Sequence, residues 1–389
     1  MPSGPHLKPS ELDSEMRGGD RGSESRSFGC AAFAHLFSFG PSPITGLKPF
    51  LEFLTDSFNF LVIANSFKLR LRGFKEEMPS KEEIVKTWLA ANTSAKTVEN
   101  HRADFAALKK NLDPNDCKAF LAQPQGTRNR YRDVVCLDAS RVKLKGVEND
   151  YIHANYVSTP QDENRFICTQ GPTDSSCTDF WQMIWQEKAG VIIMLCNFTE
   201  KSVKKCAEYF PIGAGKSVSF GKFKINCTSR AENMKYEYFP NFCAVKIAVS
   251  NLTVCKDKEK MEVQHFHWMD WPDRGAPKGD LSAISLLLQV NRTKKPIVVH
   301  CSAGIGRTGS IVMLEYIYEL FESGKDCEKL DQILAKIREQ RALSIQNDLQ
   351  YLYVIRVMLE FFVRTTPLTA QQVEDVKKFL ADYRQLTGE

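Results

Sequence analysis

The segment that most constrains this chain is residues 297–309, which read IVVHCSAGIGRTG. It begins with a short β-branched run after Pro296, which is typical of a buried central strand. The residues that follow it, 310–321, are strongly apolar and predict a largely buried helix. Between the two, Gly304 and Gly306 allow a tight loop whose backbone N–H groups all point into one concavity. The segment therefore predicts a strand, a small-residue loop and a helix in direct succession.

A loop of this kind at the start of a helix attracts an anion the size of phosphate. Arg307 adds a planar guanidinium that can hold two phosphate oxygens at once. Cys301 lies at the base of this positive field, which favours the thiolate over the thiol. The opposing interpretation is that Cys301 is a small core residue beside an apolar strand, as buried cysteines usually are. The complete string, with its strand before and its helix after, favours a nucleophile in a phosphoryl-transfer site.

The string HCSAGIGRTG resembles the signature loop of the phosphotyrosine-specific protein tyrosine phosphatases. The resemblance covers roughly residues 80–365, through separate motifs in the family's order. It implies a non-receptor protein with a single catalytic domain of the α/β class. That domain would have a highly twisted mixed β-sheet flanked by helices, with the Cys-x5-Arg phosphate loop between a strand and a helix. The phosphate-binding loop that it implies consists of Ser302, Ala303, Gly304, Ile305, Gly306 and Arg307.

Residues 128–134, which read RNRYRDV, and DYIHAN at 150–155 resemble the family's substrate-recognition loop. The resemblance implies that Tyr131 stacks on the aromatic ring of the substrate and forms one wall of the cleft. A deep cleft would admit phosphotyrosine and exclude the shorter phosphoserine. Asp133 would hold backbone amides of the bound peptide through charge-assisted hydrogen bonds. The alternative interpretation of this segment is a solvated turn that contains a tyrosine.

Two further motifs would supply a partner for Arg307 and the acid of the reaction. Glu200 precedes KCAEYFP, which resembles a family element in which the glutamate pairs with the arginine. In the same element Lys205 would reach toward the mobile acid loop. The sequence WPDRGAP resembles the family's acid loop, and its prolines and glycine permit a hinged lid. Asp273 is then the general acid of the first step and the general base of the second.

The segment SIQNDLQY at 344–351 resembles the last motif of the family. By that resemblance Gln346 positions the attacking water and Gln350 supports it. Thr308 can donate a hydrogen bond to the departing thiolate of Cys301, and His300 orients the loop rather than acting as a base.

Six residues depart from the family's usual pattern. They are His153, Phe210, Asp270, Arg274, Ala276 and Asn347, and those at 270, 274 and 276 bear on the closure of the acid loop.

The implied reaction is hydrolysis of phosphotyrosine in proteins or peptides through a cysteinyl-phosphate, with release of inorganic phosphate. The role that the resemblance implies is in signalling. The reaction needs no metal and no other cofactor. A phosphotyrosine-binding pseudoenzyme would be expected to have lost Cys301, Arg307 or Asp273, and all three are present. A dual-specificity or phosphoinositide phosphatase shares Cys-x5-Arg. The absence of lysine from the loop and the Tyr131 segment favour the tyrosine-specific class.

Composition limits the partners and the compartment. The net charge of +5 is mild, and no Lys/Arg block is dense enough to predict nucleic-acid binding. Twelve cysteines are scattered without a C-x-x-C pair, which favours a reducing compartment and a cytoplasmic protein. The oligomeric state is left open.

Three regions are expected along the chain. Residues 1–77 are predicted to be a disordered extension, since they begin with a stretch rich in glycine, serine, proline and charge. The longest apolar run there, residues 60–64, is too short for a transmembrane segment, although a membrane-touching helix is an alternative. Residues 78–366 are the predicted catalytic domain. Residues 367–389 are predicted to form an amphipathic helix that docks on the domain or binds a partner, with Val373, Val376, Leu380 and Tyr383 on one side.

Overall fold

The computed structural model describes residues 79–108, 112–124, 126–277 and 280–388. The predicted disordered extension, residues 1–77, lies outside these described residues and stays a prediction.

The described residues contain eleven strands. They are β1 (Arg141–Lys143), β2 (Tyr151–Val157), β3 (Phe166–Thr169), β4 (Val191–Met194), β5 (Thr199–Glu200), β6 (Val203–Lys204), β7 (Ser217–Phe220), β8 (Phe223–Ala231), β9 (Ile247–Lys256), β10 (Glu259–Trp268) and β11 (Ile297–His300). Nine of them form one sheet in the order β1-β2-β3-β11-β4-β10-β9-β8-β7, while β5 and β6 form a separate ribbon.

Nine α-helices accompany the strands in the described ranges. They are α1 (Lys81–Leu89), α2 (Val98–Ala107), α3 (Lys118–Leu121), α4 (Cys177–Glu187), α5 (Ser282–Val290), α6 (Gly306–Glu322), α7 (Leu330–Arg338), α8 (Asp348–Thr365) and α9 (Ala370–Thr387). A π-helical turn, Ala90–Ser94, continues α1, and short 3₁₀ turns cover Pro114–Cys117, Asp174–Ser176 and Pro240–Phe242. A capping box begins α1, since Ser80 and Glu83 bond reciprocally.

The centre of the sheet is parallel and its flanks are antiparallel. Strand β11 pairs in parallel with β3 and β4, and β4 pairs in parallel with β10. Every residue of β3, β4 and β11 is buried, as expected for central strands that are covered on both faces. The carboxyl ends of parallel strands meet at one edge, where α/β proteins usually bind ligands. The predicted strand, loop and buried helix are confirmed by β11 and α6, which flank residues 301–305 at this edge.

The C-terminal helix α9 packs on the domain. Val376, Phe379 and Tyr383 are buried in the same core as the sheet, and Leu380 is half-buried. The helix contacts α2, α8 and the π-helical turn, and Ser94 Oγ donates to Asp375 Oδ2 at 2.6 Å. The segment was expected either to dock on the domain or to bind a partner, and in the described structure it docks on the domain.

The predicted class of fold is confirmed: a large mixed sheet flanked by helices. Within the residues that the structure describes, no helix is both long enough and apolar enough to cross a membrane.

Candidate active site

The loop after β11 surrounds the sulfur of Cys301. Cys301 is buried, and the backbone N–H of Gly304 donates to its Sγ at 3.2 Å. Gly304 has a φ of +70°, and a Cβ at this position would lie 2.0 Å from the carbonyl oxygen of Thr169. Only glycine allows the loop to lie this close to β3. The loop leads directly into α6, a 17-residue helix, so the unpaired N–H groups and the positive end of the helix dipole lie at the end of the loop.

Arg307 is almost completely buried and is held by acceptors from three segments. Its Nη1 and Nη2 donate to Glu200 Oε1 and Oε2 at 2.6 and 2.8 Å, a bidentate pair. Nη1 also reaches the carbonyl oxygens of Leu195 at 2.8 Å and Trp271 at 3.2 Å. Burial lowers the pKa of Arg307, but the hydrogen bonds to Glu200 and the charges of Glu200 and the neighbouring cysteines together outweigh burial and raise the pKa of the guanidinium. The fork is therefore charged and fixed in direction.

Asp273 lies against two cations. Its Oδ1 accepts from Arg307 Nη2 at 3.0 Å, and its Oδ2 accepts from Lys205 Nζ at 2.8 Å. Partial burial would raise the pKa of Asp273, but the hydrogen bond from Lys205 and the charge of Arg307 outweigh burial and lower it. In this state the carboxyl group is ionised. It accepts a hydrogen bond from Arg307 Nη2, a donor that could instead bind a phosphate oxygen.

Tyr131 lines the same cleft as Cys301 and Asp273. Ser302 Oγ donates to the carbonyl oxygen of Lys205 at 2.9 Å, so the Tyr131 hydroxyl, 2.8 Å away, donates to Ser302. The neighbouring Arg130 fixes this segment by donating to the carbonyl oxygens of Gly171 and Pro172 at 3.0 and 2.6 Å.

Asp133 also lines the cleft, and its side chain is exposed at the rim.

Gln346 and Gln350, the two glutamines predicted to position the attacking water, also line this cleft. Gln350 is buried and its Oε1 accepts the backbone N–H of Gln346 at 3.0 Å, while Gln346 is exposed. Asn347 Nδ2 donates to the carbonyl oxygen of Arg274 at 2.7 Å and so ties this segment to the loop of Asp273. The structure thus brings together side chains that are far apart in sequence.

A family model described as "Protein-tyrosine phosphatase" matches residues 125–360, which is more than half of the chain. This chain belongs to the protein-tyrosine phosphatase family. The matched region contains every residue that the sequence predicted for the site, from Tyr131 to Gln350.

Curated proteins of this family are similar to the chain. "Tyrosine-protein phosphatase non-receptor type 9" of Mus musculus is 34% identical over 259 residues, which cover 61% of this chain and 42% of that protein. "Tyrosine-protein phosphatase non-receptor type 4" of Homo sapiens is 35% identical over 244 residues, 61% of this chain and 25% of that protein. "Tyrosine-protein phosphatase non-receptor type 2" of Rattus norvegicus is 35% identical over 239 residues, 60% of this chain and 55% of that protein. The chain therefore spans less than two thirds of the length of these relatives.

Arg341 supports the phosphate-binding loop, a role that none of the sequence motifs predicted. It is completely buried, and it donates to the carbonyl oxygens of Gly304 at 3.0 Å and Ala303 at 3.1 Å. These bonds hold two loop carbonyls toward Arg341, while the N–H of Gly304 donates to the cysteine sulfur.

His153, one of the departures from the family's pattern, lies behind Arg341. Its Nε2 donates to the carbonyl oxygen of Val134 at 2.8 Å, so its Nδ1 accepts from the Arg341 guanidinium at 3.3 Å. Burial and then the charge of Arg341 lower the pKa of His153 to about 3, so the ring is neutral and can accept.

Thr308 differs from the expectation for it. Its side chain is completely buried, and its Oγ1 has no hydrogen-bond partner among the described residues. The bond from Thr308 to the Cys301 thiolate stays a prediction for the reacting state. No group of three or more His, Cys, Asp or Glu side chains in the described ranges is arranged to hold a metal ion.

Proposed function

We propose that this protein hydrolyses phosphotyrosine in proteins or peptides and releases inorganic phosphate. The observation that carries the proposal is the shared cleft of Cys301, Arg307 and Asp273, with a loop N–H on the sulfur and a glutamate-fixed guanidinium beside it. Tyr131 on the wall of this cleft supports a phosphotyrosine substrate. We also propose residues 78–366 as the catalytic domain and a cytoplasmic role in signalling.

The first step forms the S–P bond. A phosphate dianion enters the loop and replaces Asp273 on Arg307 Nη2, which removes one of the causes that lower the pKa of Asp273. The carboxylate then takes up a proton from solvent, and the resulting carboxylic acid donates that proton to the tyrosyl oxygen as the P–O bond breaks. Cys301 attacks phosphorus in line, while the N–H groups and Arg307 meet the charge on the equatorial oxygens.

The second step breaks the S–P bond. Gln346 orients a water, and the Asp273 carboxylate takes its proton as the water oxygen bonds to phosphorus. The cysteine leaves as a thiolate, and the buried Thr308 hydroxyl is free to donate to it. The sum is one phosphate monoester and one water converted to tyrosine and inorganic phosphate.

The test is phosphate release by the full-length chain from a phosphotyrosine peptide, the matching phosphoserine peptide and a phosphoinositide. The phosphotyrosine peptide alone should turn over well, and Cys301→Ser should abolish release. Equal rates on all three substrates would contradict the tyrosine specificity. Binding of the phosphotyrosine peptide without turnover would support a pseudoenzyme.

The acid role of Asp273 has its own test. Asp273→Ala should lower kcat by about 10²- to 10⁴-fold, the usual contribution of a positioned acid. Peptide binding should persist, because Arg307 keeps its bidentate bonds to Glu200. An unchanged kcat at neutral pH would refute the assignment.

A further inference from the structure

Three side chains behind the catalytic loop form a buried hydrogen-bonded chain. The hydroxyl of Tyr209 lies 2.6 Å from His265 Nε2 and 2.7 Å from His300 Nε2. His300 Nδ1 lies 3.2 Å from the carbonyl oxygen of Cys301. All three side chains are completely buried.

The direction of every bond in this chain follows from counting protons. The Cys301 carbonyl can only accept, so His300 carries its proton on Nδ1 and its Nε2 is an acceptor. Tyr209 has one hydroxyl proton and gives it to His300 Nε2, since giving it to His265 Nε2 would leave the lone pairs of the hydroxyl and of His300 Nε2 facing each other 2.7 Å apart. The remaining acceptor, Met194 Sδ at 3.8 Å, is weak. The hydroxyl oxygen must then accept from His265, whose proton is therefore on Nε2.

His265, at the far end of this series of hydrogen bonds, agrees with the assigned direction. His265 Nδ1 is buried and has no hydrogen-bond partner among the described residues. In the assigned tautomer this atom is a bare acceptor, and an unpaired buried acceptor is less rare in proteins than an unpaired N–H. The reversed chain would leave an unpaired N–H there and would turn two lone pairs toward each other at Cys301.

Both rings are neutral, as the proton count requires. Burial, chiefly, lowers the pKa of His300 to about 3 and that of His265 well below its ordinary value. The hydrogen bond to the Cys301 carbonyl favours protonation of His300, but burial and the nearby His267, Arg130 and Arg307 oppose it and prevail.

The thiols of Cys177, Cys196 and Cys206 lie around Tyr209, and burial raises the pKa of Tyr209 well above its ordinary value.

We propose that Tyr209 and His265 are positioning residues, which fix His300 as the tautomer that donates to the Cys301 carbonyl and thereby hold the backbone that carries the nucleophile. The same carbonyl lies against Gly171, where a Cβ would come within 2.9 Å of it. The Cys301 carbonyl is thus held between His300 and Gly171, and the Cys301 sulfur lies against the N–H of Gly304. This inference rests on the proposed function only for its kinetic consequence: the loss should appear in kcat, because the peptide contacts in the cleft are untouched.

The first test reads the tautomers directly in the full-length ¹⁵N-labelled chain. Long-range ¹H–¹⁵N spectra should show His300 protonated on Nδ1 and His265 protonated on Nε2. A His300 ring protonated on Nε2 would overturn the proposal. This measurement needs no substrate, so it stands even if no phosphotyrosine peptide is hydrolysed, an outcome that would contradict the proposed function alone.

The second test removes one hydroxyl. Tyr209→Phe keeps the ring but should give a mixture of His300 tautomers and a kcat lower by about tenfold, the effect of losing roughly one buried hydrogen bond, with KM unchanged. The matched control is Tyr236→Phe, which loses a tyrosine bond to the carbonyl oxygen of Val245 (2.7 Å) elsewhere in the domain. The control should keep both kcat and the His300 resonances. Equal losses of kcat in the two variants, or none in Tyr209→Phe, would overturn the proposal.

A third comparison asks whether the donor at residue 265 matters. His265→Gln can still present an N–H to the Tyr209 oxygen, and His265→Leu cannot. Glutamine should therefore restore most of the kcat that leucine loses, and a glutamine variant as slow as the leucine variant would overturn the role of His265.

Discussion

Gly304 shows how much of this site depends on one missing side chain. Its φ of +70° and the distance of 2.0 Å from a would-be Cβ to the Thr169 oxygen are two separate demands for glycine. The second demand is the one that shapes the site, since it sets how closely the phosphate-binding loop approaches the sheet.

Gly304→Ala should therefore push the loop off β3 and lower kcat/KM by more than 100-fold, with a clear fall in melting temperature. Gly146→Ala is the matched control, because Gly146 has the same φ of +70° with nothing within 4 Å of a Cβ. The control should lose only about 1–2 kcal/mol of stability, the cost of a left-handed backbone for alanine, and should keep its activity. The two variants compared by thermal melts and turnover separate steric contact from strain, and equal losses would contradict the account.

At this scale the sequence could predict the residues that lie in local motifs. Cys301 and Arg307 belong to one short loop, so their proximity follows from chain connectivity. The contact of Asp273 with Arg307 was harder to predict from the sequence, because the two residues lie on separate loops and only the folded structure brings the carboxylate to the guanidinium. Arg341 could not be predicted, because an arginine after a helix is usually solvated. Its burial depends on the carbonyls of a loop 37 residues earlier in the chain.

At the scale of one element, helix α9 shows the limit of periodicity. The pattern predicted the helix and named Val376 and Tyr383, which are buried, but it chose Leu380 over Phe379. The two residues are neighbours on the helix, and only the packing partner decides which of them faces inward. That partner includes His101, whose ring lies 5.8 Å from Phe379 in an edge-on arrangement.

Phe379→Ala should accordingly lower the free energy of unfolding by about 3–5 kcal/mol, the usual cost of a large-to-small change in a core. Leu380→Ala on the same helix is the control and should cost clearly less, since Leu380 is only half-buried. Urea denaturation of both variants measures the difference. A chain ending at residue 366 should show a loss at least as large as Phe379→Ala. Equal, small effects in all three would mean that α9 does not stabilise the domain.

At the scale of the whole molecule, the histidines are unusually uniform. The five histidines among the described residues are all buried, and burial is the main cause that lowers the pKa of each below the ordinary value of 6.5. The pKa falls to about 4 for His267 and to about 3 for His153 and His300. None of these rings can be protonated without giving up native burial.

Glu315 acts in the opposite direction. Burial raises its pKa to about 7 from an ordinary 4.5, although Arg165 Nη2 donates to it at 3.0 Å. Between pH 4.5 and 7 the folded state therefore holds a proton that the unfolded state releases. This one group gains stability as the pH falls through that window.

The balance of these groups predicts an acid-labile fold. Below pH 6.5 the unfolded chain protonates its histidines while the folded chain does not. Their contribution to stability is therefore complete above pH 6.5 and is lost on acidification toward the folded-state pKa values, about 4 for His267 and about 3 for His153 and His300. Each histidine acts with a slope of at most about 1.4 kcal/mol per pH unit. Five such groups outweigh the single proton of Glu315, so the free energy of unfolding, measured by urea titration at pH 7.5, 6.5, 5.5 and 4.5, should fall steeply below pH 6.5. Glu315→Gln should steepen the fall between pH 6.5 and 4.5, because it removes the opposing proton. A stability that stays level over this range would show that the histidines are protonated without loss of the fold, and would contradict their burial as neutral rings.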